Sequence, residues 1–234
     1  MRFEPSPSSQ LDILKIGQEE APLVQVDNVL QDPSALVRYA ANEAEFSGVD
    51  SNLYPGIRAP MPLDYVEGVV RALDPVIRNT YRIDGAKLAK AECFFSIVTT
   101  APSDLQPLQK VPHIDTTDSL HFAVVHYLCA AQLGGTAFYR QDKTGYESVG
   151  PERAARWIDV RDAMLAQMPE MSGYMASSTL GYTQTAHIEA RFDRLILYRS
   201  NMLHSGVISR DTPLNPDPRF GRLTANPFIA YRRP

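Results

Sequence analysis

From Ala91 onward the sequence is dominated by short segments rich in β-branched and aromatic residues. These segments cover residues 93–100, 120–129, 136–139, 195–198 and 222–230. Turn signals separate several of them, most clearly the Gly134-Gly135 pair that precedes Thr136. A series of short strands divided in this way predicts a mainly β fold, either a sandwich or a barrel.

Helical patterns flank and interrupt the predicted strands. Asp32 followed by Pro33 is a typical helix start. An apolar stripe at helical spacing over residues 66–77 predicts an amphipathic helix that packs on a sheet. Pro75 lies inside this stripe, so we expect it to kink or split the helix. One or two further helices are predicted within residues 150–170.

The length and composition are those of one globular domain. The 234 residues fit a single core without a second domain, with residues 1–90 as support and residues 91–234 as the β core. A net charge of -4 excludes the basic footprint expected for a nucleic-acid partner. The sequence shows neither a secretory signal nor an apolar run long enough to span a membrane, so we expect a cytoplasmic protein with no membrane partner.

The sequence His113-Ile114-Asp115 is the strongest candidate for a chemical site. Residues two apart on a strand project to the same face, about 7 Å apart along the strand. His113 and Asp115 can therefore offer an imidazole and a carboxylate to one metal ion. Two ligands make a poor site, and a third imidazole would complete one face of a six-coordinate ion. His204 is the candidate for that third ligand.

The order of several motifs resembles the iron(II) and 2-oxoglutarate-dependent oxygenases, in particular their prolyl-hydroxylase-like branch. The motifs that carry the resemblance are His113-x-Asp115, Tyr127-Leu128, Gly134-Gly135-Thr136-x-Phe138-Tyr139, His204, and Arg222-x-Thr224-x-Asn226. The resemblance covers about residues 91–231. It implies a double-stranded β-helix, the jelly-roll or cupin-like fold, with flanking helices. Residues 141–190 are expected to form an inserted lid over the mouth of the barrel, because an insertion there does not disturb the core strands.

The resemblance also implies the chemistry. Ferrous iron would be bound by His113, Asp115 and His204, which leaves three positions open for 2-oxoglutarate and O2. In that family 2-oxoglutarate is decarboxylated to succinate and carbon dioxide while an unactivated carbon of the substrate is hydroxylated. The protein itself places that carbon and excludes water.

Residues on two predicted strands are candidates to bind 2-oxoglutarate. Arg222 suits the far carboxylate, because a guanidinium fork binds a carboxylate through two hydrogen bonds and keeps its charge. Tyr127 matches the position where the prolyl-hydroxylase-like branch has a tyrosine. Thr224 and Asn226 share the face of Arg222, so either can touch the cosubstrate. Arg210, closer to His204 in the sequence, is the rival anchor.

Candidate substrate residues are fewer. Residues 51–62 contain three prolines and a glycine, which predicts an irregular loop carrying Tyr54 and Arg58. Arg140 is a candidate at the mouth of the barrel. His121, His126 and His187 are expected to be core, surface or supporting groups and not ligands.

The sequence leaves the substrate and the oligomeric state open. A small molecule or an amino-acid or peptidyl substrate is expected, by analogy with prolyl hydroxylases. Two other functions remain possible. One is a cupin-like metalloprotein, such as an isomerase or another dioxygenase, that does not use 2-oxoglutarate. The other is a non-catalytic binding module that retains the barrel.

Overall fold

The computed structural model describes residues 4–48, 54–167, 173–175, 177–179, 181–209 and 211–233. In these ranges the elements run in the order β1 (Gln10–Ile16), β2 (Ala21–Asp27), α1 (Ser34–Asn42), β3 (Ser47–Gly48), β4 (Gly56–Pro60), α2 (Leu63–Tyr81), β5 (Lys87–Val98), β6 (His121–Tyr127), β7 (Thr136–Gln141), α3 (Pro151–Gln167), β8 (Tyr182–Ile188), β9 (Arg194–Arg199), β10 (His204–Gly206) and β11 (Leu223–Arg232). None of the described helices combines the length and apolarity needed to cross a membrane.

Two antiparallel sheets form the β core. The large sheet has the strand order β1-β2-β9-β6-β11-β5-β4-β3, and the small sheet has the order β10-β7-β8. Strands distant in sequence are neighbours in both sheets, as when β6 pairs with β9 on one side and β11 on the other. The predicted double-stranded β-helix, with its mainly β class and flanking helices, is therefore confirmed.

Strand β6 shows how alternation divides the large sheet into two faces. Ala123, Val125 and Tyr127 pack in the interior between the sheets, together with Tyr198 of the adjacent β9 and Phe138 of the small sheet. The intervening residues of β6, Phe122 and Val124, pack against the helices on the opposite face. One face of this strand thus borders the interior where a site can form, and the other is covered.

Helices α1 and α2 cover the outer face of the large sheet. The apolar stripe of α2 is buried there at Val69, Leu73 and Ile77, as predicted. The predicted split at Pro75 is wrong, because α2 continues through it from Leu63 to Tyr81. Pro75 and Arg71 both lie on the exposed side of the helix, so water can satisfy the Arg71 carbonyl that the proline leaves free.

Helix α3 lies outside the small sheet. Its Trp157 packs with Ala137, Tyr139 and Tyr182 on the outer face of that sheet. This arrangement differs from the predicted lid over residues 141–190, because β8 within that range is a strand of the small sheet and α3 covers the sheet's outer face. From the described part of this range, Tyr174 reaches the interior cavity.

The prediction of an irregular loop over residues 51–62 is also partly wrong. Within it, β4 is a strand that pairs with β5. Pro60 is tolerated because it is the last residue of the strand. Gly56 is required at the other end, since a Cβ there would lie 2.0 Å from the carbonyl oxygen of Ile97. Residues 51–53 of the predicted loop fall outside the described residues.

A buried polar network ties the helical layer to the large sheet. His126 on β6 contacts the Tyr65 hydroxyl through Nδ1 at 2.8 Å and the Asp193 carboxylate through Nε2 at 2.9 Å. The same carboxylate accepts hydrogen bonds from the backbone N–H of Leu30. Asp193 therefore satisfies two buried donors at once, and it is itself buried.

We expect Asp193→Ala to lower the free energy of unfolding by about 3 kcal/mol, because the donors of His126 and Leu30 lose their acceptor in a buried place. Urea denaturation measures this loss. Asp12→Ala is the matched control, because Asp12 is exposed on β1, and its effect should stay within about 0.5 kcal/mol. Equal effects of the two substitutions would contradict a stabilising role for this network.

Candidate metal centre

The segment that carries His113 and Asp115 lies beside β10. The His113 N–H donates to the His204 carbonyl at 3.0 Å, and the His204 N–H donates to the His113 carbonyl at 2.9 Å. The Asp115 N–H donates to the carbonyl of Ser200 at 2.9 Å. These backbone bonds extend the small sheet by one short segment, which brings His204 next to two residues far from it in sequence.

The structure brings the three predicted ligands together. One ligand atom from each of His113, Asp115 and His204 lies within 4.8 Å of the other two. The Asp115 carboxylate is 4.0 Å from His113 Nε2 and 3.9 Å from His204 Nε2. His204 Nδ1 lies 2.9 Å from the Met202 carbonyl. Because a carbonyl only accepts, Nδ1 carries the proton and Nε2 keeps a free lone pair.

The protonation of His113 and Asp115 reflects their position in a recess. The His113 side chain is 48% exposed and that of Asp115 is 22% exposed, because both face an internal cavity. The pKa of His113 is lowered to about 3, mainly because the side chain is withdrawn from bulk water and to a smaller extent because His204 and Arg58 are nearby. The same withdrawal raises the pKa of Asp115. Neutral imidazole is the form that binds a metal ion, so His113 is prepared for that role at neutral pH.

The three side chains form part of the wall of a cavity of about 470 Å³ between the two sheets. Its walls include His121 and Phe228 from the large sheet and Thr136 from the small sheet. A volume in this range is typical of sites for small molecules. The donor set, two imidazoles and one carboxylate facing an open space, fits a six-coordinate ferrous ion with room for further ligands.

Arg222 lies just before β11 and contributes a buried cation to the same cavity. Its Nε donates to the Gly134 carbonyl at 3.1 Å and its Nη2 to the Gly135 carbonyl at 2.8 Å. Gly134 itself must be a glycine because it packs against the chain after β10, where its Cβ would lie 1.7 Å from the Val207 carbonyl oxygen. Among the described residues, no carboxylate pairs with Arg222.

The neighbours of Arg222 on β11 also line the cavity. Thr224 and Asn226 face it as alternation predicts, and the Thr224 hydroxyl donates to the Asn226 side-chain oxygen at 2.7 Å. Tyr127 differs from the prediction. It is fully buried, and its hydroxyl donates to Thr136 Oγ1 at 2.7 Å. Tyr127 can therefore act on a ligand through Thr136, or through Arg222, whose guanidinium carbon lies 5.9 Å from the centre of the Tyr127 ring.

The other predicted site residues divide into two groups. Tyr54 and Arg58 line the cavity, as expected for substrate residues. Arg140, by contrast, is not part of the cavity wall over the described residues, because it lies near the far end of β7. Arg210, the rival anchor for 2-oxoglutarate, falls outside the described residues.

The remaining histidines have the supporting positions that were predicted for them. His126 lies in the buried network described above and His187 is exposed on β8. His121 lines the cavity, and its Nδ1 lies 3.4 Å from the Ser200 hydroxyl.

Sequence reasoning missed several cavity residues, among them Thr136 and Phe94. Thr136 was part of a recognised motif, but its contact with Tyr127 joins strands of different sheets, which strand alternation alone does not predict. Phe94 gave no comparable signal, because it adjoins Phe95 in β5 and the two rings stand on opposite faces of the strand.

Comparison with known proteins identifies a family and a fold. Residues 7–229 match a family described as "Family of unknown function (DUF6445)". No curated protein matches the sequence. Among solved structures, the chain is similar to the non-heme alpha ketoglutarate dependent epimerase SnoN from nogalamycin biosynthesis, with 14% identity, a TM-score of 0.51 and coverage of 92% of this chain and 82% of that one.

Two further solved structures are similar at lower scores. HygX from Streptomyces hygroscopicus, with nickel, 2-oxoglutarate and hygromycin B bound, shows 11% identity, a TM-score of 0.49 and coverage of 91% of this chain and 84% of that one. The carbocyclase SnoK from nogalamycin biosynthesis shows 11% identity, a TM-score of 0.46 and coverage of 92% and 81%. At these identities the similarity to SnoN shows the shared fold.

Proposed function

The chain belongs to the family of unknown function DUF6445, and we propose that it is a non-haem iron(II) and 2-oxoglutarate-dependent oxygenase. The observation that carries the proposal is the convergence of His113, Asp115 and His204 on one point of a cavity that also holds the buried Arg222. A metal site and a carboxylate site in one cavity are what a 2-oxo acid cosubstrate requires.

The spacing of the two sites suits a dicarboxylate. The guanidinium of Arg222 lies beside Gly206, with Nη2 3.8 Å from where a Cβ on that glycine would be. Gly206 is two residues beyond His204 on β10, so the cation and the metal ligand are separated by about 7 Å along one strand. A 2-oxo acid that bound the metal at one end would reach Arg222 with its far carboxylate.

The protein would hold this cosubstrate through fixed groups. The Gly134 and Gly135 carbonyls restrain Nε and Nη2 of Arg222, which leaves the outer edge of the guanidinium free to bind a carboxylate through two hydrogen bonds. The Thr136 hydroxyl accepts from Tyr127 and can donate its own proton to the same carboxylate. Tyr127 is in this arrangement a positioning residue.

With iron bound, such a site supplies oxygen activation coupled to conversion of 2-oxoglutarate to succinate and carbon dioxide. His204 is held in its metal-binding tautomer by Met202, and His113 is neutral at physiological pH. His113, Asp115 and His204 would hold the ion from one side and would leave its remaining positions for the cosubstrate and O2. The reaction we propose is hydroxylation of an unactivated carbon.

The size of the cavity favours a small substrate. A volume of about 470 Å³ holds a small molecule or a single amino-acid side chain together with the cosubstrate. SnoN is described as an alpha ketoglutarate dependent epimerase, and the fold that it shares with this chain is compatible with the same cosubstrate.

We expect the purified protein to show a weak visible charge-transfer absorption when iron(II) and 2-oxoglutarate are added without oxygen, because the oxo acid chelates the ion. Admission of oxygen should then release succinate, even slowly and without substrate. Metal binding without the absorption or succinate would favour the cupin-like alternative. A protein that binds no iron would instead be a binding module.

A further inference from the structure

A second arginine lies in the cavity on the side of His113 and Asp115. Arg58 projects from β4, with its guanidinium carbon 4.5 Å from the centre of the Tyr54 ring and 5.6 Å from that of Phe94. These rings fix the plane of the guanidinium and shield its faces. Arg58 itself lines the cavity.

Among the described residues, no side chain forms an ion pair with this guanidinium. Its Nε is buried and forms no hydrogen bond in the described part of the chain. Glu92, which also lines the cavity, is already paired with Lys90 at 2.7 Å. A half-buried cation held against two rings without a partner has a desolvation cost that a bound anion would offset.

The charge of the loaded site supports an anionic ligand, an argument that rests on the proposed function. The net charge is zero for the combination of a ferrous ion, the Asp115 carboxylate, the 2-oxoglutarate dianion and the Arg222 guanidinium. Arg58 then adds one uncompensated positive charge. Among the described residues that line the cavity, the only lysines or arginines are Arg58 and Arg222. The site therefore offers one free cation, and not the cluster of cations that binds a phosphate group.

We propose that Arg58 binds a carboxylate of the primary substrate, and that the substrate is a small monocarboxylic acid. The planar fork of the guanidinium binds a carboxylate through two parallel hydrogen bonds. Val98, Leu108 and Ile114 line the cavity nearby and provide apolar surface for the body of the acid.

The position of Arg58 also bears on which carbon would react. Arg58 lines the same cavity as the two metal ligands His113 and Asp115. A carboxylate held by Arg58 therefore places the carbons that follow it near the open side of the metal centre.

The test is isothermal titration calorimetry on the full chain, loaded with nickel(II) and saturated with 2-oxoglutarate so that Arg222 is occupied. The probes are acetate, phenylacetate and N-acetylglycine, each compared with its primary amide. We expect at least one carboxylate to bind, and to bind at least tenfold more tightly than its amide. Arg58→Met should remove this preference, and Arg58→Lys should restore part of it.

Arg71→Gln is the matched control, because Arg71 is exposed on α2, and it should leave the preference unchanged. The proposal is overturned if no carboxylate binds, if the amides bind equally well, or if Arg58→Met retains the preference. Binding of 2-oxoglutarate is measured first in the same samples. If 2-oxoglutarate does not bind, the result counts against the proposed oxygenase. The same titrations would still decide whether carboxylate binding depends on Arg58.

Discussion

Replacing His204 by alanine is expected to weaken iron(II) binding by at least about 100-fold and to abolish succinate release. Loss of a group that merely supports a metal ligand typically costs 10- to 100-fold in affinity or activity, so loss of a ligand itself should cost more. Only His113 and Asp115 would remain, and two ligands cannot complete one face of the ion.

The effect should be specific to the cavity. His187→Ala removes the same side chain from an exposed position on β8 and is expected to leave metal affinity and succinate release unchanged. Because His204 is buried, circular dichroism should first establish that the variant is folded. Anaerobic titration with iron(II), followed by the charge-transfer absorption, measures the effect. A folded His204→Ala variant that keeps this absorption would disprove the assignment of the ligands.

The sequence was sufficient to predict the parts of the site that follow from strand alternation, while His204 was predicted from the need for a third ligand and from the order of the motifs. Two-residue spacing placed His113 and Asp115 on one side of an extended segment. The same rule put Arg222, Thr224 and Asn226 on one face, and the structure places all three in the cavity wall. Such predictions depend only on local geometry, which tertiary packing does not alter.

Other features depended on packing and could not be predicted in this way. Tyr127 does face inward, but whether its hydroxyl reaches the cavity depends on the small sheet opposite, where Thr136 accepts its hydrogen bond. Pro75 leaves α2 intact because its side of the helix is exposed. The strand β4 forms in spite of its proline because β5 offers a long edge beside it. In each case a neighbour that is distant in sequence decides the outcome.

The second large effect concerns the cosubstrate. Arg222→Met is expected to weaken 2-oxoglutarate binding by roughly 100-fold, or about 3 kcal/mol, because a buried carboxylate would lose its only charged partner. Methionine keeps an unbranched apolar side chain of similar length, so packing near Gly134 and Gly135 is changed less than by alanine. The arginine that was predicted as a rival, Arg210, should have a much smaller effect when replaced in the same way.

This effect can be separated from a loss of the metal site. Arg222→Met should bind iron(II) with unchanged affinity, since Arg222 is not a ligand, and high concentrations of 2-oxoglutarate should restore much of its succinate release. His204→Ala cannot be rescued in this way. Arg71→Met, which replaces an exposed arginine on α2, controls for the loss of one positive charge. If Arg210→Met raised the apparent KM for 2-oxoglutarate as much as Arg222→Met did, the anchor would have to be reassigned. The proposed position of the cosubstrate relative to Arg58 would then change as well, because the proposals assign the cosubstrate carboxylate to Arg222 and the substrate carboxylate to Arg58.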